Sequence, residues 1–200
     1  MGTNEKEESG LVFKFPVESV VTKFDDTLFY RKYFNQMPKA KGVDFISVDK
    51  DSIAFIEVKN CTGDEGNCNW RIFANNQKLN TTHTSVDTKG RDSLDIEVPQ
   101  KVAMTIAALV GAKSFGDRKE CLEELEKFIQ FLSVNGFASE NKRKYVILFL
   151  EGDFGCHSRD KKMIMQRLQE SMKQKLQWLN CRVSVVDSDT YNKKLFQIIS

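Results

Sequence analysis

Apolar and polar positions alternate most informatively between residues 42 and 59, Gly-Val-Asp-Phe-Ile-Ser-Val-Asp-Lys-Asp-Ser-Ile-Ala-Phe-Ile-Glu-Val-Lys. Two runs rich in Val, Ile and Phe, Val43 to Val48 and Ser52 to Val58, flank the polar turn Asp49-Lys50-Asp51, the pattern of a β-hairpin. With Lys50 and Asp51 as a two-residue loop, Asp49 faces Ser52, and counting back along both strands sets Asp44 opposite Glu57. Directly opposed residues lie about 5 Å apart at Cβ, and like charges there repel. The two-residue period of a strand also puts Glu57 and Lys59 on one face.

Upstream, residues 1–10 are polar and acidic and read as a disordered lead. A short apolar run, Leu11 to Phe15, precedes Pro16, which suits the first position of a helix. Phe24 to Met37 reads as a helix capped by Asp25 or Asp26, with Leu28, Phe29, Tyr33 and Phe34 at helical spacing. Beyond Lys59, residues 60–95 are rich in Asn, Thr, Asp and Gly and read as a long insertion, with a strand near Trp70 to Ala74 and Trp70 placed to stack on a base.

Downstream, Pro99 to Ala112 is apolar on nearly every side and predicts a buried helix whose first turn holds Gln100 and Lys101. Asp117 to Ser133 predicts an amphipathic helix, Tyr145 to Leu150 a buried strand, and Asp160 to Leu179 a helix with a methionine and leucine stripe. Arg182 to Val186 reads as a last strand and Tyr191 to Ile199 as a short terminal helix. Strands interleaved with helices in this way indicate an α/β class, a mixed sheet covered on both faces, in a single domain over 11–200.

Composition narrows the classes without choosing one. The 200 residues are 40% hydrophobic and 29% charged, ordinary for a globular domain. Thirty basic against twenty-eight acidic residues leave a net charge of +2, so any nucleic-acid surface must be local, as in the cluster Arg31, Lys32, Lys39 and Lys41. Five scattered cysteines point to reduced thiols and a cytoplasmic setting, and no apolar run approaches a membrane span. Cys61, Cys68 and Cys156-His157 lack the spacing of a zinc site.

The chemistry that bears on function is therefore Asp44, Glu57 and Lys59. Opposed carboxylates in an apolar hairpin are costly unless a cation lies between them, and hard ions such as Mg2+ bind through one or two carboxylates plus substrate phosphate. On an exposed strand the same residues would amount to an ion pair worth under about 1 kcal/mol. Both readings stand on the residues alone.

The stretch Gly-Val-Asp-Phe-Ile followed by Phe-Ile-Glu-Val-Lys-Asn resembles the PD-(D/E)xK signature of the restriction-endonuclease-like nucleases and is similar to the archaeal Holliday-junction resolvases. The resemblance covers mainly residues 42–60, with weaker support from 95–110. It implies a restriction-endonuclease-like three-layer sandwich and a metal-dependent endonuclease or related phosphodiester hydrolase. Asp44 and Glu57, with the Val58 carbonyl, would hold Mg2+ or Mn2+, and Lys59 would be the catalytic lysine. Gln100 and Lys101 match the further catalytic position on the following helix. The proline of the signature is replaced by Val43, and the acid that many members carry on the first helix has only Glu18, Asp25 and Asp26 as candidates.

The implied partner is nucleic acid, DNA ahead of RNA, with a homodimer or a specificity subunit supplying what a small domain lacks. Restriction, phage defence and repair would each use such a domain. Two other readings stay open: a nucleic-acid-binding or regulatory module without turnover, and a scaffold in which the three residues form only an ion-pair network.

Overall fold

A computed structural model describes residues 4–63, 65–78, 88, 90–115, 122–133, 142–154 and 159–199. In chain order its elements are β1 (Glu5–Glu8), β2 (Leu11–Lys14), β3 (Val20–Lys23), α1 (Leu28–Lys32), β4 (Phe45–Val48), β5 (Ser52–Asn60) and α2 (Glu65–Arg71). Then follow α3 (Leu94–Lys113), α4 (Glu126–Ser133), β6 (Arg143–Glu151), α5 (Lys161–Lys175), β7 (Arg182–Val186) and β8 (Gln197–Ile199).

Five strands form a mixed sheet in the order β3-β4-β5-β6-β7, antiparallel from β3 to β5 and parallel from β5 to β7. The expected hairpin is present in the expected register. Val48 pairs with Ile53, Phe45 with Ile56, and the Asp49 N–H donates to the Ser52 carbonyl at 3.0 Å. The polar turn is closed by Asp49, whose side chain accepts from the Asp51 and Ser52 N–H groups at 2.7 and 2.6 Å.

β5 and β6 are almost continuous apolar runs because both of their faces are covered. On one face Ile53, Phe55, Val146 and Leu148 join a core with Val98, Val102 and Leu109 of α3, Phe128 of α4 and Leu168 and Met172 of α5. The methionine stripe of α5 is therefore core. On the other face Phe45, Ile56, Ile147 and Phe149 pack against Phe13, Phe15 and Phe196. That second layer is a three-stranded antiparallel sheet, β1-β2-β8, rather than helices.

Folding corrects several expectations. The first residues are ordered from Asn4 onward: Ser9 and Gly10 take φ of +53° and +76°, a two-residue turn that joins β1 to β2. The segment after Tyr191 ends in strand β8, which pairs with β2 once Phe196 is inserted under the sheet and stacked on Tyr191. The helix expected over Phe24 to Met37 is two 3-10 turns around the short α1, because Thr27, not Asp25 or Asp26, supplies the cap by accepting from the Tyr30 N–H at 3.2 Å.

Trp70 lies in α2 and not in a strand, and at 5% exposure it is part of the interior and not a platform for a base. α3 begins at Leu94 and carries Pro99 inside it. Residues 79–87 of the insertion, the start of the helix expected from Asp117, and Cys121, Cys156 and His157 lie outside the described residues.

Candidate functional site

Asp44 immediately precedes β4, and one step beyond the ladder places it against Glu57 on β5. Glu57 follows Ile53 and Phe55 on the face that meets the helices, and there Lys101 reaches down from α3. Lys101 Nζ donates to Glu57 Oε1 at 2.5 Å and lies 3.7 Å from Asp44 Oδ1. Asp44 Oδ2 accepts from the Val58 N–H at 2.7 Å, a bond available because β4 has ended at Phe45. A residue in a strand turns its N–H and C=O to the same side, so the Val58 carbonyl faces this end of the hairpin too. Glu57 Oε2 is buried without a hydrogen-bond partner.

The electrostatics follow from that burial. Desolvation pushes Asp44 up to about 6, against the pull of Lys101 and of the Val58 N–H. Glu57 is pushed further, to about 8, by desolvation first and by the neighbouring charges of Asp44 and Glu97, with Lys101 pulling the other way. Desolvation works against the Lys101 ammonium as well, but the charges of Glu57 and Asp44 outweigh it and hold Lys101 above the ordinary lysine range. Carboxyls raised by burial around a charged lysine are found at functional sites, and structural ion-pair networks shift such groups as well.

A second ring of charge supports the first. Glu97, one turn before Lys101 on α3, accepts from Arg71 of α2 at 2.6 Å and has Lys41 at 3.9 Å. The start of α3 is fixed by Asp95, which is fully buried and accepts from Ser93, Ser171 and Lys175 at 2.6, 2.7 and 2.8 Å. Asn75 and Asn76, both with positive φ, close the same knot by presenting their N–H groups to Asp95 and Ser93. Lys101 is thus carried by a helix whose N-terminal end is bonded to α5 and to the segment after α2.

Among the sequence-predicted residues, the structure brings together Asp44, Glu57, Val58 and Lys101. Lys59 shares the face of Glu57, is half-buried, and forms no hydrogen bond or ion pair among the described residues. Gln100 is exposed and takes no part in the contacts of Lys101. Glu18 lies by the Asp49 to Ser52 turn, at the far end of the hairpin, and Asp26 is paired with Arg31. Asp25 is close enough for its charge to raise Asp44, and so is Glu8, which sequence reasoning missed because it fell in the stretch read as disordered. Glu97 and Arg71 were missed too; a Glu four residues before Lys101 on one helix was the available signal.

The two carboxylates are the available acidic donors: among the described residues no group of three or more His, Cys, Asp or Glu side chains is placed to hold a metal ion. Among those residues too, no helix is long and apolar enough to cross a membrane.

Residues 27–200 match a family described as a family of unknown function, DUF6661. The chain belongs to that family. No curated protein and no solved structure matches it. The matched segment contains Asp44, Glu57, Lys59, Glu97 and Lys101, whereas β1, β2 and β3 precede it.

Proposed function

We propose that the chain is a metal-dependent nuclease that hydrolyses phosphodiester bonds of nucleic acid, DNA ahead of RNA, on a restriction-endonuclease-like fold. The observation that carries the reading is Glu57 Oε2, buried without a partner on a carboxyl whose neighbour Lys101 is shared with Asp44, a polar oxygen whose burial is costly unless a partner meets it. Asp44 Oδ1, Glu57 Oε2 and the Val58 carbonyl are all oxygen donors, which fits a hard ion, and Mg2+ or Mn2+ held there would supply the positive charge that activates water and neutralises phosphate.

The chain's own residues divide the remaining work. Lys101 holds Glu57 through its other oxygen, and the Val58 N–H holds Asp44, so both acids are fixed before substrate arrives. Lys59, uncommitted among the described residues, orients the attacking water or meets the charge that develops at phosphorus. Lys41 stands at 3.9 Å from Glu97, near enough to the site to contact a flanking phosphate.

Cleavage of circular single-stranded and double-stranded DNA and of structured RNA, with Mg2+ or Mn2+, tests the proposal against Asp44→Asn and Lys59→Ala. Cleavage by the wild type that both variants lose supports it; a variant that keeps the full rate refutes the assignment. A second reading, a nucleic-acid-binding or regulatory module without turnover, is favoured by the contact of Lys101 with Glu57, which already balances one of the two acids internally. Nucleic acid bound with no cleavage under any divalent ion would select it.

A further inference from the structure

Each site carboxylate commits one oxygen to the protein and leaves the other. Glu57 Oε1 is taken by Lys101 Nζ at 2.5 Å and Asp44 Oδ2 by the Val58 N–H at 2.7 Å. The remaining oxygens are Glu57 Oε2, buried without a partner, and Asp44 Oδ1, which has Lys101 Nζ at 3.7 Å. The ammonium therefore touches one acid and stands beside the other. Its side chain is only 16% exposed, on a helix tied down through Asp95 and Glu97, so its position is built in.

We propose that Lys101 is a resident cation occupying the place of a second metal ion, so that the site takes one divalent ion, on the side of Glu57 Oε2 and Asp44 Oδ1. This rests on the reading of Asp44 and Glu57 as metal ligands. Charge balance favours a single ion. With both acids deprotonated, as ligation requires, two carboxylates and one ammonium leave a single negative charge for a divalent ion to meet. A second divalent ion would have to share Glu57 Oε1 with the ammonium, and repulsion between cations a few ångströms apart is strong where water is scarce. Without the ammonium, both oxygens of Glu57 and the full double negative charge become available.

Titration with Mn2+ alone, followed by calorimetry and by the spin-resonance signal of the free ion, tests this without reference to activity. The wild type and Lys101→Arg are expected to bind one ion. Lys101→Met is expected to bind a second ion, or to bind the first at least about tenfold more tightly. Two ions on the wild type overturn the proposal. So does a Lys101→Met protein with wild-type stoichiometry and affinity, which leaves the metal-ligand reading of Asp44 and Glu57 standing. No ion bound by the wild type overturns both together. Circular dichroism checks that Lys101→Met is folded; should it not be, Lys101→Gln, neutral but still able to hydrogen-bond, takes its place under the same criteria.

Discussion

Lys101 Nζ lies 2.5 Å from Glu57 Oε1, and still the Glu57 carboxyl titrates far above its ordinary range because its other oxygen is buried and unpaired. The sign of the resulting pH dependence is fixed. Asp44 is raised from 3.8 to about 6 and Glu57 from 4.5 to about 8, so across this window the folded state binds more protons than the unfolded one. Stability from these groups is then complete below about pH 4 and is lost as pH rises through about 6 to 8. With chelator present, the melting temperature should be higher near pH 5 than near pH 8.5, a loss on the order of 5 kcal/mol. Glu57→Gln should flatten the upper part of that profile. A wild-type melting temperature that rises over the same range, unchanged in the variant, contradicts this account.

Lys59 poses the opposite case, a half-buried amine with no hydrogen-bond or ion-pair partner among the described residues. Its removal breaks no bond in the fold, so Lys59→Ala should change unfolding free energy by less than about 1 kcal/mol. If it serves the reaction, single-turnover cleavage should fall by about a hundredfold or more. A large loss of stability in urea denaturation would place Lys59 among the structural residues instead.

Asp95 holds the helix that carries Lys101. Desolvation would raise its carboxyl, but the bonds from Lys175, Ser93 and Ser171 hold it below the ordinary range. Asp95→Ala would strand these donors and the Asn75 N–H, and should cost about 3 kcal/mol in urea denaturation. Mn2+ binding should weaken with it, since Lys101 and Glu97 lose their fixed base. A cost under about 1 kcal/mol would show that α3 is positioned by its apolar contacts alone.

What could be read from the sequence was local. The Asp44 to Glu57 register followed from one two-residue turn and the two-residue period of a strand, and β4 and β5 carry it as expected. What escaped was decided by distant partners. Glu5 to Glu8 has the composition of a solvated tail, yet β2 pairs it, and β2 is itself held by β8 from the other end of the chain. Pro99 suggested a helix start, but the polar knot around Asp95 lets α3 begin earlier, with the proline inside. The aromatic spacing of Phe29, Tyr33 and Phe34 was sound as packing, since Phe29 is buried with Tyr33 tilted against it and Phe34 packs on the same core, although Leu28 is exposed and the helix through them is broken. Arg71 and Glu97 come from separate segments, and only the folded chain brings them together.

The end of the β5–β6 ladder offers a test of how rigidly the site is framed. The Cys61 N–H donates to the Glu151 carbonyl at 2.8 Å, one bond beyond the last residue of β5. The chain then turns at Gly152 with φ of +98°, where an added Cβ would lie 2.6 Å from the Thr62 nitrogen and 2.8 Å from the Cys61 carbonyl carbon. Those are backbone atoms next to Asn60, so relief requires moving the strand end that carries Glu57 and Lys59. Gly152→Ala should therefore cost about 3 kcal/mol, combining an unfavourable φ with a steric conflict that cannot relax locally. Gly63, with φ of +73° and nothing within 4 Å of an added methyl, isolates the first contribution: Gly63→Ala should cost only about 1 kcal/mol. Equal costs for the two variants in urea denaturation would mean that the junction yields easily, and that the spacing of Glu57 and Lys59 does not depend on it.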